Sequence, residues 1–215
     1  MSSHPNNFYE FENQPLPYSY DAMEPFIDAR TMQIHHDRHL QGYVDNLNKA
    51  LKGYPELQKL PLEALVSPPE ALPPANRTAI KNNAGGVYNH RFYFNGLTPA
   101  ANAKAPSGML LDDIIRTYGS YDAFKAAFKA AALSVFGSGY AWLVVDGSGD
   151  LKIITTANQD TPLTYNLCPI LNIDVWEHAY YLKHYNMRAN YIDDWFNVVD
   201  WDRANKNFIA CFNAF

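Results

Sequence analysis

Six prolines between positions 55 and 74 constrain the first half of this chain more than any other feature. Pro55, Pro61, Pro68, Pro69, Pro73 and Pro74 separate two long helical patterns. A proline inside a helix removes a backbone hydrogen bond and clashes with the preceding turn. No helix can therefore run through this stretch, which reads as a loop with short helical pieces. The first pattern has Asp28 as its cap and runs from Ala29 to Leu51, ending before Gly53 and Pro55. Met32, Leu40, Tyr43, Val44 and Leu47 give it helical spacing. The second starts near Asn76, after Pro74, and ends near Asn95. Met1 to Pro17 reads as an extended arm.

The second half is patterned differently. Thr98 to Ser107, rich in alanine and proline, marks the boundary, and helical patterns follow at 108–117 and 121–134, the latter capped by Ser120. Tyr140–Val145 and Leu151–Thr156 are β-rich runs joined by Asp146-Gly147-Ser148-Gly149, a hairpin signal. Pro169–Asp174 reads as a third strand, and Glu177 to Phe215 as helical with a break at Asn186–Asn190. The expected organisation is a helical unit over 1–97, a linker over 98–107 and a helix-plus-sheet unit over 108–215.

Composition narrows the function. With 47% hydrophobic and 18% charged residues, the 215-residue chain can bury a core. Its net charge of −5 argues against nucleic acid as a partner. No apolar run reaches the roughly 18 residues of a membrane span, and no basic block suits a membrane surface. Met1–Gln14 lacks the apolar core of a secretory signal, so a cytoplasmic chain is expected, with a secreted or coat-associated one as the alternative. Cys168 and Cys211 form no framework, and reduced thiols are expected. Aromatic residues make up 14% and crowd into 87–94 and 176–201, most of them as core filler.

Chemistry concentrates in the histidines and their neighbours. His35 and His39 lie four apart, on one helical face. Asp174-Val175-Trp176-Glu177-His178 sets a carboxylate and an imidazole four apart among apolar residues. Such groups are seldom buried without partners, and either an internal ion pair or a shared metal ion would explain them. Gly85 and Gly86 weaken the second helix by about 1 kcal/mol each relative to alanine, a cost that suggests close approach or a buried site. His90 follows one turn later. In an antiparallel hairpin His35 and His90 can face each other, as metal-binding side chains do in helix bundles. Imidazole with carboxylate suits zinc, iron or manganese.

Several runs carry a family resemblance. Thr31-Met-Gln-Ile-His-His-Asp-Arg-His39 with Tyr43-Val44, and Asn82-Asn-Ala-Gly-Gly-Val-Tyr-Asn-His90, resemble the first two signatures of the iron and manganese superoxide dismutases. Phe136-Gly-Ser-Gly-Tyr-Ala-Trp-Leu143 and Thr156-Ala-Asn-Gln-Asp160 resemble the next two, and Asp174-Val-Trp-Glu-His-Ala-Tyr-Tyr-Leu-Lys183 resembles the most diagnostic run. The matches keep the family's order from about Leu16 to Trp201.

The resemblance implies an α+β fold: a long N-terminal helical hairpin joined to a C-terminal α/β half with a three-stranded antiparallel sheet. It implies metal ligands His35, His90, Asp174 and His178, with water or hydroxide as a fifth. Tyr43 would be the gateway tyrosine, with His39 beside it and linked to Tyr181 of a second subunit. Glu177 would cross the same interface. Trp142 and Trp176 would wall the site, and Arg38 and Arg188 would line or brace the approach. The implied partners are superoxide and a second copy of the chain, as a homodimer or within a tetramer. The implied reaction is dismutation of superoxide to dioxygen and hydrogen peroxide by a metal alternating between its trivalent and divalent states. A metal-binding structural or coat protein of the same shape is the alternative. In the manganese type a glutamine is offered from the sheet, where Gln159 stands. In the iron type it comes from the second helix, where this chain has Gly86. Manganese is expected, with iron as the alternative. Phe94 and Tyr140 depart from the family by replacing tryptophans, and Tyr140 adds a hydroxyl to the expected site wall.

Overall fold

The Asp28 carboxylate accepts a hydrogen bond from the Thr31 backbone N–H at 2.9 Å and so starts the first helix where its side chain predicts. The structure, a computed structural model, describes residues 6–66 and 72–213. Pro68 and Pro69 of the expected loop lie outside them. Helix α1 (Ala29–Ile34) continues through a π-helical segment, His35–Leu40, into α2 (Gln41–Leu51). The periodicity predicts a uniform α-helix here. The wider π turn is a correction, and such turns are frequent at functional sites. Short helices α3 (Pro55–Gln58) and α4 (Leu62–Leu65) follow, and then α5 (Arg77–Asn95) packs along α2 to complete the hairpin.

The arm over residues 6–17 lies across this hairpin. Phe11 exchanges two hydrogen bonds with the Asn48 side chain, at 2.9 and 2.8 Å. Arg91 donates to the carbonyls of Asn6 and Glu12, at 3.0 and 2.8 Å.

In the second half, α6 (Gly108–Tyr118) and α7 (Tyr121–Ser134) precede the sheet, and the Ser120 hydroxyl caps α7 by accepting from the Ala123 N–H at 3.0 Å. Strands β1 (Gly139–Val145), β2 (Leu151–Ala157) and β3 (Cys168–Asp174) pair antiparallel in the order β2-β1-β3. The Asp146 carboxylate accepts the N–H groups of Ser148 and Asp150 and closes the predicted hairpin. The β1–β3 register shifts between Leu143 and Val144, where Pro169 of the edge strand has no N–H to offer.

The C-terminal region corrects two expectations. Helix α8 (Tyr181–His184) ends at Tyr185, which has a positive φ of 51°, and α9 (Arg188–Trp195) restarts inside the predicted break. A second interruption precedes α10 (Trp201–Phe212), because residues 96–98 bond to this segment. Thr98 donates to Val198 at 2.9 Å, and Asp200 donates to Gly96 at 2.8 Å. The cysteines are not the reduced thiols expected. Cys168 at the head of β3 and Cys211 in α10 form a disulfide, with Cα atoms 5.8 Å apart. Packing of α10 on β3 brings them together across 43 positions, a separation that carries no sequence signal. Among the described residues, no helix is long and apolar enough to cross a membrane.

Candidate metal centre

Four elements each contribute one side chain to a single buried point. His35 opens the π segment, His90 lies in the last half of α5, Asp174 ends β3, and His178 sits in the 3-10 turn Glu177–Ala179. Asp174 Oδ2 lies 3.2 Å from His35 Nε2, 3.3 Å from His178 Nε2 and 3.8 Å from His90 Nε2. The four donor atoms all fall within 4.8 Å of one another. His35, His90 and Asp174 are fully buried, and His178 nearly so. Asp174 Oδ1 accepts the Trp176 backbone N–H at 2.9 Å, which turns Oδ2 toward the imidazoles.

A cation fits this pocket because one of its nitrogens is left unused. His90 Nδ1 donates to the Gly86 carbonyl at 2.7 Å, so Nε2 presents a bare lone pair. That nitrogen is buried and has no hydrogen-bond partner. Neutral imidazoles with one carboxylate leave a net negative pocket that a cation neutralises.

The local electrostatics keep His35, His90 and Asp174 in their ligating forms. Burial pushes the His35 imidazole down to about 4, against the opposing pull of Asp174. Burial, with His35 nearby, holds His90 well below the usual histidine range. Burial works to raise the Asp174 carboxyl, but the pull of His178 and His35 outweighs it and keeps the group ionised. Tyr43 is raised by burial, against a lowering hydrogen bond from Gln159.

The remaining predicted residues fall into three groups. Around the pocket, Gln159 Nε2 donates to the Tyr43 hydroxyl at 3.0 Å, and His39 stacks on His178 at 4.1 Å. Trp176 stacks on His178 at 5.4 Å. One layer back, Trp142 packs on Tyr140 and Phe92 and donates to the Thr156 hydroxyl at 2.9 Å. At the surface, Glu177, Tyr181 and Arg38 are exposed, while Arg188 braces the entry to β1 through the carbonyls of Val135 and Gly137.

The two helix glycines have the close approach their placement suggests. A Cβ at Gly86 would collide with the Tyr43 ring, and one at Gly85 with the Gln159 carbonyl. No side chain fits at 86 against the Tyr43 ring, and Gln159, in the turn after β2, approaches the helix at 85 with its backbone carbonyl. Sequence reasoning missed Asn89, whose Nδ2 donates to Gln159 Oε1 at 3.1 Å, and Asn172, which donates to the Asn89 carbonyl at 3.2 Å. It also missed Tyr93, whose ring lies 5.2 Å from that of His35 and whose hydroxyl meets Tyr191 at 3.0 Å. Only the adjacency of Asn89 to His90 hinted at any of these.

A buried three-imidazole, one-carboxylate cluster between a helical hairpin and a small antiparallel sheet has the donor set of a metal-binding protein. Residues 10–98 match the family model described as iron/manganese superoxide dismutases, alpha-hairpin domain, and residues 106–207 match the one described as their C-terminal domain. The chain belongs to the iron/manganese superoxide dismutase family. It is 50% identical over 196 residues to superoxide dismutase (Mn) 1 of Leptolyngbya boryana, covering 90% of this chain and 79% of that one. It is 48% identical over 200 residues to superoxide dismutase (Mn) of Listeria innocua, covering 93% of this chain and 98% of that one.

Proposed function

We propose that this chain is a superoxide dismutase that holds one manganese ion on His35, His90, Asp174 and His178, with iron as the alternative metal. The observation that carries this reading is the convergence of three Nε2 atoms on Asp174 Oδ2 inside a family member. When bound, the metal supplies one-electron redox chemistry, so that two superoxide anions and two protons yield dioxygen and hydrogen peroxide.

This chain's residues do the rest. His35 and His90 stay neutral and the Asp174 carboxylate stays ionised, the forms in which they would hold a cation. Tyr43 accepts from Gln159, which leaves its own O–H free to donate toward the substrate side. Raised by burial, it remains a protonated donor at neutral pH and can pass a proton to departing peroxide. Asn89 holds the other end of the Gln159 amide, so Nε2 cannot turn away from Tyr43.

The chain divides at 98–107 into units 1–97 and 108–215, and it acts as a homodimer, with a tetramer as the larger assembly. Exposed Phe136, Tyr181, Leu182, Tyr185 and Met187 support a paired surface. A cytoplasmic placement is the first reading, and the Cys168–Cys211 disulfide supports a secreted or coat-associated one as the second.

Stopped-flow superoxide decay, with metal-free protein reloaded with manganese and with iron in parallel, tests the function. Fast decay with manganese is expected. Absence of decay despite bound metal would leave a metal-binding protein that shares only the family's shape.

A further inference from the structure

The turn 157–160 carries Gln159, and α5 grips it at three points, each one helical turn from the next. Lys81, Gly85 and Asn89 are spaced by four residues and so lie along one side of the helix. At Gly85 the missing Cβ lets the Gln159 backbone carbonyl come against the helix. At Asn89 the hydrogens of one amide are divided: Nδ2 donates to Gln159 Oε1 at 3.1 Å and to the Asp160 carbonyl at 3.2 Å. Both bonds are near the long end of the usual range, so a small outward shift of the turn breaks them together. At Lys81 the contact is short. Its Nζ lies 2.6 Å from Asp160 Oδ1, a charge-assisted bond, and among the described residues it is the one partner of that carboxylate. Trp176, which follows β3, also holds the turn, its indole N–H donating to the Asn158 carbonyl at 3.0 Å.

We propose that Lys81 is a positioning residue: its ion pair with Asp160 seats the 157–160 turn on α5 and so keeps the Gln159 amide aimed at the Tyr43 hydroxyl. Gln159 Nε2 reaches that hydroxyl at 3.0 Å while Asn89 holds the other end of the amide, and Asn89 holds it at the distance the seated turn allows. The Lys81 and Asp160 side chains are 29% and 32% exposed, and pairs this open to water contribute little to folding. The work of this one is local. What the clamp is for rests on the reading of the pocket as a dismutase site; its geometry does not.

The test reads the Gln159 side chain directly, in metal-free, isotopically labelled protein. Exchange of its Nε2 hydrogens with water is followed by NMR in the parent, Lys81→Met and Lys81→Arg, the signals being those lost in Gln159→Leu. Lys81→Met keeps the length of the side chain and removes its charge. It should melt close to the parent while the Gln159 amide exchanges about tenfold faster. The Trp142 indole N–H, bonded to Thr156 at 2.9 Å in the sheet, should exchange as in the parent. Lys81→Arg keeps a charged donor for Asp160 and should protect the amide as the parent does. Unchanged exchange in Lys81→Met overturns the inference, and so does equal acceleration at Trp142, the sign of general loosening. Acceleration in Lys81→Arg as large as in Lys81→Met overturns it too, because the charge is then not the cause. If Lys81→Met does not fold, unchanged exchange in Asp160→Ala overturns it equally. Superoxide decay by the manganese-loaded parent, measured beside these, decides the dismutase reading separately.

Discussion

Strand β1 is buried along its whole length, yet its two faces are built for different work. Ala141, Leu143 and Val145 lie in the main apolar core, paired across to Ile173, Leu171 and Cys168 of β3. Tyr140, Trp142 and Val144 form a separate cluster, and the first two pair with Asp174 and Asn172. One face is aliphatic and stapled to α10 by a disulfide. The other is aromatic and polar: Trp142 donates to Thr156, and the Tyr140 hydroxyl lies 3.5 Å from His90 Nδ1. A period of two residues lets a single strand hold up the fold on one side and a site on the other. Changes to the two faces should therefore separate cleanly into effects on chemistry and effects on stability.

The sharpest break is Asp174→Ala on the site face. Bound metal should fall to near zero by elemental analysis, and dismutation should drop by on the order of 10³-fold, because the pocket loses its only anionic donor. On the opposite face, Leu143→Ala should cost about 2–5 kcal/mol in denaturant unfolding, while activity per folded molecule stays at the parent value. Loss of activity at full stability would erase the distinction between the faces. Replacing both Cys168 and Cys211 with serine opens the staple on that same side. Stability should fall by about 2–4 kcal/mol with no change in metal content, read by melting and elemental analysis.

The last effect is a pH dependence of stability that arises at the site face. In the metal-free chain His35 stays neutral down to about 4, whereas the unfolded chain takes up that proton near 6.5. Between these values the unfolded state binds more protons, so stability falls as pH is lowered from 6.5 toward 4. Thermal melts at intervals across this window should show the decline, and His35→Gln should reduce it, with His90, also held below the usual histidine range, carrying the rest.

Much of this arrangement was legible in the residues themselves. Asp28 and Ser120 cap helices as their side chains predict, and the Asp146–Gly149 turn joins two β-rich runs. The glycine pair flagged a close approach, which proves to be Tyr43 and Gln159. All four expected ligands converge, because each lies in a run with strong local character. What could not be read depends on long-range packing. The disulfide joins residues 43 apart, the break at 196–200 is set by bonds to residues 96–98, and the Asn89–Gln159 link spans two halves of the chain. The π segment has ordinary helical composition, and only backbone geometry reveals it.

The most direct test of the central claim is anomalous diffraction at the manganese edge from crystals of the manganese-loaded protein. One peak per chain is expected, enclosed by His35 Nε2, His90 Nε2, His178 Nε2 and Asp174 Oδ2. A peak at any other place, or none in protein that dismutes superoxide, would contradict it.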